Sequence, residues 1–252
     1  MIFIQGNIFS PIPILAPVNG NSCPNVCENR EPLLNLTNRH PRIYSKSMYF
    51  TQQIPGSLQS IYVRQNAYER LLQALALLPE EYSFIVYDGY RPLQVQKHLF
   101  QCFYDEIKKR HSNFSDEQVL EETLKYVAYP SVAPTKTSPH LTGGAIDLTL
   151  GDLQGNPLDL GSVFDEMCVR SATRYFEHNP FENEEALKHR RLLYNSMTSV
   201  GFTNYSEEWW HFDYGNVAWA RRVGSAEAEY GAVQSIIERH QLKEYGYYES
   251  IY

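Results

Sequence analysis

The spacing of apolar residues along the chain predicts four main helices. Apolar side chains recur three or four residues apart, which places them on one face of a helix. The predicted helices cover residues 64–78, 93–107, 116–126 and 182–200. Pro79 cannot continue the first helix, Pro92 suits the first turn of the second, and Gly201 suits the end of the last. Ser115 and Gln118 form a capping-box pattern that opens the third helix.

Three other stretches predict strands. Residues 83–87 and 145–150 are rich in β-branched and apolar residues, and residues 209–214 are rich in aromatic ones. A polar cluster with two glycines at 151–156 is expected to reverse the second strand. In the tail, residues 226–240 predict a further helical stretch. Helices and strands follow one another without an internal repeat or a clear linker, so we predict a single α+β domain.

The first 42 residues differ from the rest of the chain. They are rich in proline and asparagine and show little periodicity. We therefore expect an extended arm, residues 1–42, that packs on a domain formed by residues 43–252. A chain of 252 residues can bury a substantial core.

Composition and charge exclude several classes of protein. The hydrophobic content of 43% indicates a folded chain, and the net charge of -7 argues against nucleic acid as the main partner. No apolar run approaches the roughly 20 residues that span a bilayer. Residues 1–5 lack the basic start of a secretory signal, so a cytoplasmic location is expected, with a periplasmic one left open. The four cysteines are expected to be reduced, because no second CxxC-like element is present.

Residues 138–147 carry two side chains that suit a catalytic zinc site. Such a site takes three protein ligands, nitrogen or carboxylate oxygen, and keeps one position open for water. His140 and Asp147 are separated by a loop that contains Gly143 and Gly144. Glycine lets the backbone turn sharply and approach a metal, so both side chains can converge on one point. Taken alone, the pair is equally consistent with purely structural roles, in which His140 is an ordinary loop residue and Asp147 bonds to a turn.

Residues 208–211 offer a third ligand and a base. His211 can supply a ring nitrogen, and Glu208 is close enough in sequence to take a proton from bound water. On an ideal strand the two side chains would point to opposite faces. We therefore expect Glu208 in the polar turn that precedes the strand. Taken alone, His211 is more readily a packed ring between its aromatic neighbours, and Glu207 and Asp213 are alternatives for the base and the ligand.

Arg91 follows directly after the first predicted strand and precedes Pro92. An arginine held between a strand end and a proline-started helix has little freedom, which suits it to stabilising negative charge that develops on an oxygen atom. Taken alone, Arg91 is equally a partner for a nearby carboxylate, and that interpretation is the simpler one.

The three motifs together resemble a known family. DGYRP at residues 88–92, SxHxxGxAxD at 138–147 and ExxH at 208–211 are similar to the D-alanyl-D-alanine dipeptidases associated with vancomycin resistance, within the wider group of zinc D,D-peptidases. The likeness covers roughly residues 40–215. It implies a zinc D,D-peptidase-like fold with a small central antiparallel or mixed sheet flanked by helices. It also implies one zinc ion per chain and hydrolysis of D-Ala-D-Ala to two D-alanines.

The resemblance implies roles for particular residues. The implied zinc ligands are His140, Asp147 and His211, the implied general base is Glu208, and the implied oxyanion-stabilising group is Arg91. Ser138 corresponds to a substrate-contacting serine. Asp165 corresponds to the aspartate that pairs with the free ammonium of the substrate, although an acid at a helix N-terminus is an alternative. Tyr49 is a candidate for the tyrosine that helps hold the ammonium.

Two other functions remain open from the sequence. One is a related zinc carboxypeptidase or endopeptidase that acts on longer peptidoglycan peptides, since the arm, the tail and residues 104–137 look longer than in compact dipeptidases. The other is a non-enzymatic, zinc-bearing binding module. Glu208 and Arg91 favour an enzyme, because binding alone needs neither. The sequence predicts no oligomeric state.

Overall fold

Short strands are distributed over the whole length of the chain. The computed structural model describes residues 7–15 and 23–248. The strands are β1 (Asn25–Val26), β2 (Leu33–Asn35), β3 (Ile43–Ser45), β4 (Tyr62–Arg64), β5 (Ser83–Asp88), β6 (Ala145–Gly151), β7 (Thr203–Asn204), β8 (His211–Asp213), β9 (Glu227–Ala228), β10 (Val233–Glu238) and β11 (Gln241–Tyr247).

Seven α-helices lie between these strands in the described residues. They are α1 (Met48–Thr51), α2 (Gln65–Leu77), α3 (Leu93–Arg110), α4 (Asp116–Thr123), α5 (Tyr175–His178), α6 (Glu184–Ser199) and α7 (Val217–Val223). The capping box expected at Ser115 is present, since its hydroxyl accepts from the Gln118 amide while the Gln118 side chain accepts from the Ser115 amide. None of the described helices is long and apolar enough to cross a membrane.

A five-stranded mixed sheet lies at the centre, with the strand order β3-β5-β6-β8-β7. β3 runs parallel to β5, and the other neighbours are antiparallel. Helices α2 and α6 pack together on the hydrophobic core that covers this sheet. The predicted α+β fold with a small mixed sheet is therefore confirmed.

The two faces of the sheet have different chemistry. The core side chains are Phe84 and Val86 on β5, Ile146 and Leu148 on β6, and Phe212 on β8. Successive side chains of a strand point to opposite faces. Asp147 and His211, which lie between these core residues, therefore point away from α2 and α6. Two polar residues of these buried strands, Asp147 and His211, thus emerge on the same face.

The predicted helix over residues 226–240 is wrong. These residues form β9 and β10, and β10 pairs with β11 in an antiparallel hairpin. Val233, Ile236 and Ile237 have the spacing of a helix face, but the chain reverses at Arg239 and His240, whose φ angles are 48° and 63°. Two consecutive residues in the left-handed region are typical of the tight turn of a hairpin and end any helix.

Smaller differences concern the predicted boundaries. The helix predicted over residues 116–126 is α4, which ends at Thr123. The strand predicted over residues 209–214 is β8, which begins at His211. Cys102 of α3 is exposed, whereas Val95, Gln96, Phe100 and Ile107 are buried. The side-chain amide of the buried Gln96 accepts from Arg91 and donates to the Ala128 carbonyl.

Residues 23–42 lie along the domain and join it through strands. β1 pairs with β9, and β2 pairs with β4. Residues 1–6 and 16–22 of the predicted arm, including the segment assessed as a secretory signal, lie outside the described residues.

Candidate active site

Asp147 and His211 stand opposite each other on neighbouring strands. The antiparallel register of β6 and β8 pairs residue 147 with residue 211. Both side chains point from the same face of the sheet, and His211 Nδ1 lies 3.0 Å from Asp147 Oδ1. The two residues are buried. Sheet pairing alone therefore brings together residues that are far apart in sequence.

The loop of His140 reaches this pair from the start of β6. Pro139–Thr142 form one 3-10 turn, and Gly143 follows with φ at 74°. A Cβ at this position would lie 2.5 Å from Leu33 Cδ2. The left-handed backbone and the lack of space both require glycine, so the glycine pair in the motif has a structural cause.

The ring of His140 is held in one orientation. Its Nδ1 donates to the Gly89 carbonyl at 2.9 Å. Its Nε2 therefore faces the other two residues, 3.1 Å from His211 Nδ1 and 3.2 Å from Asp147 Oδ2. Three ligand atoms thus converge within a buried cluster.

This cluster fits a zinc ion by the chemistry of its donors. Because Nδ1 of the neutral His140 ring donates to a carbonyl, Nε2 carries a lone pair that points toward Nδ1 of His211. Two ring nitrogens whose lone pairs face each other repel unless a proton or a cation lies between them. A tetrahedral zinc with ligands at about 2.0–2.1 Å places ligand atoms about 3.3 Å apart. The separations of 3.0 to 3.2 Å are close to this value.

Asp213 lies on the far side of the His211 ring. His211 Nε2 lies 3.2 Å from Asp213 Oδ2, and Asn216 donates to the other carboxylate oxygen at 2.6 Å. Burial alone would lower the pKa of His211, but the carboxylates of Asp213 and Asp147 outweigh it and raise that pKa well above its ordinary value. Asp213, an alternative ligand from the sequence, is therefore a hydrogen-bond partner of His211 and lies outside the cluster of three.

A β-bulge places Asp88 beside the cluster. β5 and β6 pair Val86 with Leu148 and then Asp88 with Asp147, so Tyr87 is the extra residue. Without the bulge Asp88 would share the core face with Val86, because side chains alternate along a strand. With it, Asp88 Oδ2 lies 2.7 Å from Arg91 Nε.

Arg91 is buried and held on several sides. Nε donates to Asp88, Nη1 donates to Gln96 Oε1 at 2.9 Å, and Nη2 donates to the Tyr49 hydroxyl at 3.1 Å. Nη2 also lies 3.4 Å from Asp147 Oδ2. Arg91 thus has the carboxylate partner that the simpler interpretation expected, and it also borders the three-ligand cluster.

Glu208 lies in the turn before β8, as its spacing from His211 required. The His211 amide donates to the Glu208 carbonyl at 3.3 Å, and β8 begins at His211. Its half-buried carboxylate lines the same cleft as His140, Asp147 and His211. Burial and the nearby carboxylates raise the pKa of Glu208 to about 8.

Asp165 and Tyr49 meet on another wall of the cleft. The Tyr49 hydroxyl donates to Asp165 Oδ2 at 3.1 Å. Asp165 has φ at 61°, a strained conformation for a non-glycine residue. Burial, with a contribution from Asp147, raises the pKa of Asp165 to about 7. The hydroxyl of Tyr49 therefore bridges Arg91 and Asp165.

Ser138 has a different environment from the other candidate residues. Its side chain is buried, and its hydroxyl donates to the Tyr129 carbonyl at 2.7 Å and accepts from the Ser131 amide. These bonds hold the segment before His140. Contact between Ser138 and a substrate stays a prediction.

The cleft that contains these groups is large, about 790 Å³. One end holds the ligand cluster, Glu208 and Arg91. The other end runs along α3 and the residues that follow α4, and its lining includes Leu99, Phe103 and Ile107. The wall along α3 therefore carries both apolar and charged side chains, the latter including Glu106 and Arg110.

Comparison with known proteins identifies the family. A family model described as D-ala-D-ala dipeptidase matches residues 44–228. The chain belongs to this family. The resemblance predicted from the motifs at residues 88–92, 138–147 and 208–211 is therefore confirmed.

Curated relatives include two bacterial proteins named D-alanyl-D-alanine dipeptidase. The one from Synechocystis sp. is 33% identical over 175 residues, which cover 63% of this chain and 71% of that protein. The one from Escherichia coli is 38% identical over 131 residues, 52% of this chain and 54% of that protein. The chain thus spans about half the length of the Escherichia coli relative.

Two solved structures are distant likenesses. A vancomycin resistance D,D-pentapeptidase VanY in complex with Zn(II) is 18% identical with a TM-score of 0.35, and the match covers 66% of this chain and 82% of that one. VanYB in complex with D-Alanine-D-Alanine is 20% identical with a TM-score of 0.37, covering 67% and 82%.

Every candidate site residue lies within the segment that matches the D-Ala-D-Ala dipeptidase family. Asp88 and Gln96, which hold Arg91, were not predicted as site residues, and Asp213 was predicted only as an alternative ligand. Asp88 stands three residues before Arg91 in the DGYRP motif, and this spacing could have indicated that the two side chains pair. Gln96 had no signal, because a polar residue on a helix face is ordinarily solvated.

Proposed function

We propose that this protein is a zinc-dependent dipeptidase that hydrolyses D-Ala-D-Ala to two D-alanines. The observation that carries the proposal is the convergence of His140, Asp147 and His211 in one cleft with Glu208 and Arg91. Membership of the D-Ala-D-Ala dipeptidase family supports the same reaction. A non-enzymatic zinc-binding module would need the three metal-binding side chains but neither Glu208 nor Arg91.

The metal site is assigned to three side chains. His140 Nε2, His211 Nδ1 and a carboxylate oxygen of Asp147 would hold one zinc ion. When bound, zinc supplies Lewis acidity and lowers the pKa of a coordinated water toward about 7. Gly89 and Asp213 fix the two rings by accepting from the nitrogens that face away from the cluster.

Glu208 acts as the general base and then as the general acid. A carboxylate oxygen of Glu208 takes a proton from the attacking water and passes it to the leaving amine. The carboxyl group must hold the proton between the two steps, and burial, which raises the pKa of Glu208, favours this protonated form. Its half-buried position in the turn keeps it at the cleft wall.

Arg91 stabilises the negative charge that develops on the scissile carbonyl oxygen. Its guanidinium is fixed by Asp88, Gln96 and Tyr49 before the reaction begins. A preorganised donor needs no rearrangement as charge develops, so its contribution falls mainly on the transition state.

Asp165 selects substrates with a free amino terminus. A carboxylate on the cleft wall, bonded to Tyr49, can pair with the ammonium of a dipeptide. An acylated substrate would leave this charge without a partner, which costs several kcal/mol when the group is desolvated. Ser138 supports the loop of His140 through its bonds to Tyr129 and Ser131. Its contact with the substrate is part of the proposal.

The shape of the cleft favours a second candidate, a peptidase for longer peptidoglycan peptides. The lining runs along α3 from Gln96 to Arg110, a length of about 21 Å at the helical rise per residue. An extended dipeptide spans only about 7 Å. Asp165 favours the dipeptide, which also agrees with the cytoplasmic location predicted from the sequence.

A comparison of substrates tests the proposal. Zinc-loaded protein is incubated with D-Ala-D-Ala, D-Ala-L-Ala, L-Ala-L-Ala and N-acetylated D-Ala-D-Ala, and released alanine is measured. The dipeptidase is expected to cleave free D-Ala-D-Ala and to reject the acetylated form. Preference for the acetylated peptide would favour the second candidate, and no hydrolysis with zinc fully bound would favour a binding module.

A further inference from the structure

A second charged cluster lies directly behind the loop of His140. Its centre is Arg64, the last residue of β4, which is fully buried. Two of its groups bond to that loop: Nε donates to the Thr142 carbonyl at 2.7 Å, and the backbone amide donates to the Gly143 carbonyl at 2.9 Å. Arg64 therefore contacts the backbone two and three residues after His140.

Glu28 is the counter-ion of Arg64. Both carboxylate oxygens of Glu28 accept from the guanidinium, at 2.9 Å from Nη1 and 2.8 Å from Nη2. Charge-assisted pairs with two parallel bonds are strong and directional. Glu28 Oε2 also accepts from the Gly231 amide at 2.7 Å, so this carboxylate joins three separate segments of the chain.

Two tyrosine rings stack against the same guanidinium. Its Cζ lies 4.8 Å from the centroid of Tyr230 and 4.5 Å from that of Tyr247. Arginine on an aromatic face is stabilised by the ring electrons, more so where water is excluded. The Tyr230 hydroxyl donates to Glu31 Oε2 and the Tyr247 hydroxyl donates to the Glu31 carbonyl, both within 3 Å. The side chain of Arg64 is thus held by two aromatic rings as well as by its hydrogen bonds.

These partners come from outside the family segment. The match covers residues 44–228, whereas Glu28 and Glu31 precede it and Tyr230 and Tyr247 follow it. Only Arg64 and the ligand loop lie inside. The N-terminal segment 23–36 and the hairpin β10–β11 therefore reach the ligand loop through Arg64.

We propose that Arg64, fixed by Glu28, is a positioning residue for the metal ligand His140. Its two bonds to Thr142 and Gly143 hold the short turn that carries the imidazole, and Gly143 packs so closely that a Cβ there would lie 2.5 Å from Leu33 Cδ2. The segments outside the family match are thereby part of the support of the metal site. This inference rests on the proposed zinc site.

Removal of the Glu28 charge is the sharpest perturbation. Glu28→Gln keeps the size of the side chain but leaves a buried guanidinium without a counter-ion, which is strongly unfavourable. Arg64 is expected to shift toward other acceptors and to release the ligand loop. The effect on zinc follows because supporting groups outside the ligand shell typically change metal affinity about 10–100-fold.

The chain provides a matched control in Arg191 and Glu177. Arg191 donates to both carboxylate oxygens of Glu177, at 2.8 Å and 2.7 Å. Glu177 also accepts from the Ile12 amide at 2.8 Å, so this pair too joins the N-terminal segment to the domain. None of the described bonds of this pair reaches the loop of His140.

The experiment measures zinc affinity in the full chain by competition with a coloured chelator, together with the melting temperature. Glu28→Gln is expected to bind zinc about tenfold more weakly than wild type, whereas Glu177→Gln keeps wild-type affinity. Both variants are expected to melt at lower temperature. Unchanged zinc affinity in Glu28→Gln, or an equal loss in both variants, would overturn the inference.

A second variant covers the case in which Glu28→Gln does not fold. Tyr247→Leu removes one stacked ring and leaves the ion pair, so a smaller loss of zinc affinity in the same direction is expected. Wild-type affinity in Tyr247→Leu would then overturn the inference. A wild-type chain that binds no zinc would instead overturn the proposed function itself.

Discussion

Asp213 Oδ2 lies 3.2 Å from Nε2 of His211, on the side of the ring that faces away from Asp147. A carboxylate in this position accepts the Nε2 proton, which leaves Nδ1 available to a metal. Asn216 holds the other oxygen of Asp213 at 2.6 Å. The orientation of His211 is therefore set by residues on and just after its own strand.

Asp213→Ala should weaken zinc binding by about 10–100-fold, because the ring loses its acceptor and its fixed tautomer. Turnover at saturating zinc should fall much less, since Asp213 is not assigned a proton in the reaction. Chelator competition and a zinc titration of activity measure the two effects separately. Unchanged zinc affinity would show that Asp213 does not orient His211.

Arg91→Lys should lower kcat far more than it raises KM. Lysine keeps the positive charge but lacks the planar fork that bonds to Asp88, Gln96 and Tyr49 at once. The loss in kcat should be about 100-fold, as for other oxyanion donors. Steady-state kinetics with D-Ala-D-Ala provide the test, and a change confined to KM would remove Arg91 from the transition state.

Asp165→Asn should stabilise the metal-free protein at about pH 8. The folded pKa of Asp165 is raised to about 7, above the value of about 3.9 in an unfolded chain. Ionisation therefore costs stability as the pH rises from about 4 to about 7, and asparagine removes that cost. The gain should be on the order of 1 kcal/mol, because the side chain is only partly buried.

Urea unfolding with a chelator present, at about pH 8 and below about pH 4, measures this difference. The gain should disappear at the lower pH, where the carboxyl is protonated in both states. A gain that is equal at both values would mean that the effect comes from something other than ionisation of Asp165.

The same variant tests the role of Asp165 with substrate. The KM for free D-Ala-D-Ala should rise at least about tenfold, because an amide cannot neutralise the substrate ammonium. The weak activity on the N-acetylated dipeptide should not fall further. An equal loss on both substrates would indicate a structural effect and would reject selection by charge.

Local sequence signals determined most of the helices. Pro79, the Ser115 capping box and Gly201 mark helix ends through backbone chemistry that needs no distant partner. The hairpin β10–β11 was not predicted, because its local sequence signals indicate a helix. Val233, Ile236 and Ile237 satisfy a helical spacing, and the turn residues Arg239 and His240 carry none of the usual glycine or asparagine signals.

The convergence of His140, Asp147 and His211 could be predicted because each stands in a short motif with a glycine or a turn beside it. The contacts that surround this cluster could not be predicted. Asp88 faces the site only because of a bulge at Tyr87 in the pairing of β5 with β6. Tyr49 reaches Arg91 from a helix of four residues. Such contacts depend on strand register and on packing between distant segments, which leave no periodic signal in the sequence.

The central claim is that a zinc ion held by His140, Asp147 and His211 acts together with Glu208 as the base. The most direct measurement compares bound zinc and the rate of D-alanine release from D-Ala-D-Ala in wild type, Glu208→Gln and the neighbouring control Glu207→Gln. Glu208→Gln should bind one zinc per chain and turn over about a thousandfold more slowly, whereas Glu207→Gln should match wild type. Wild-type turnover in Glu208→Gln would contradict the account.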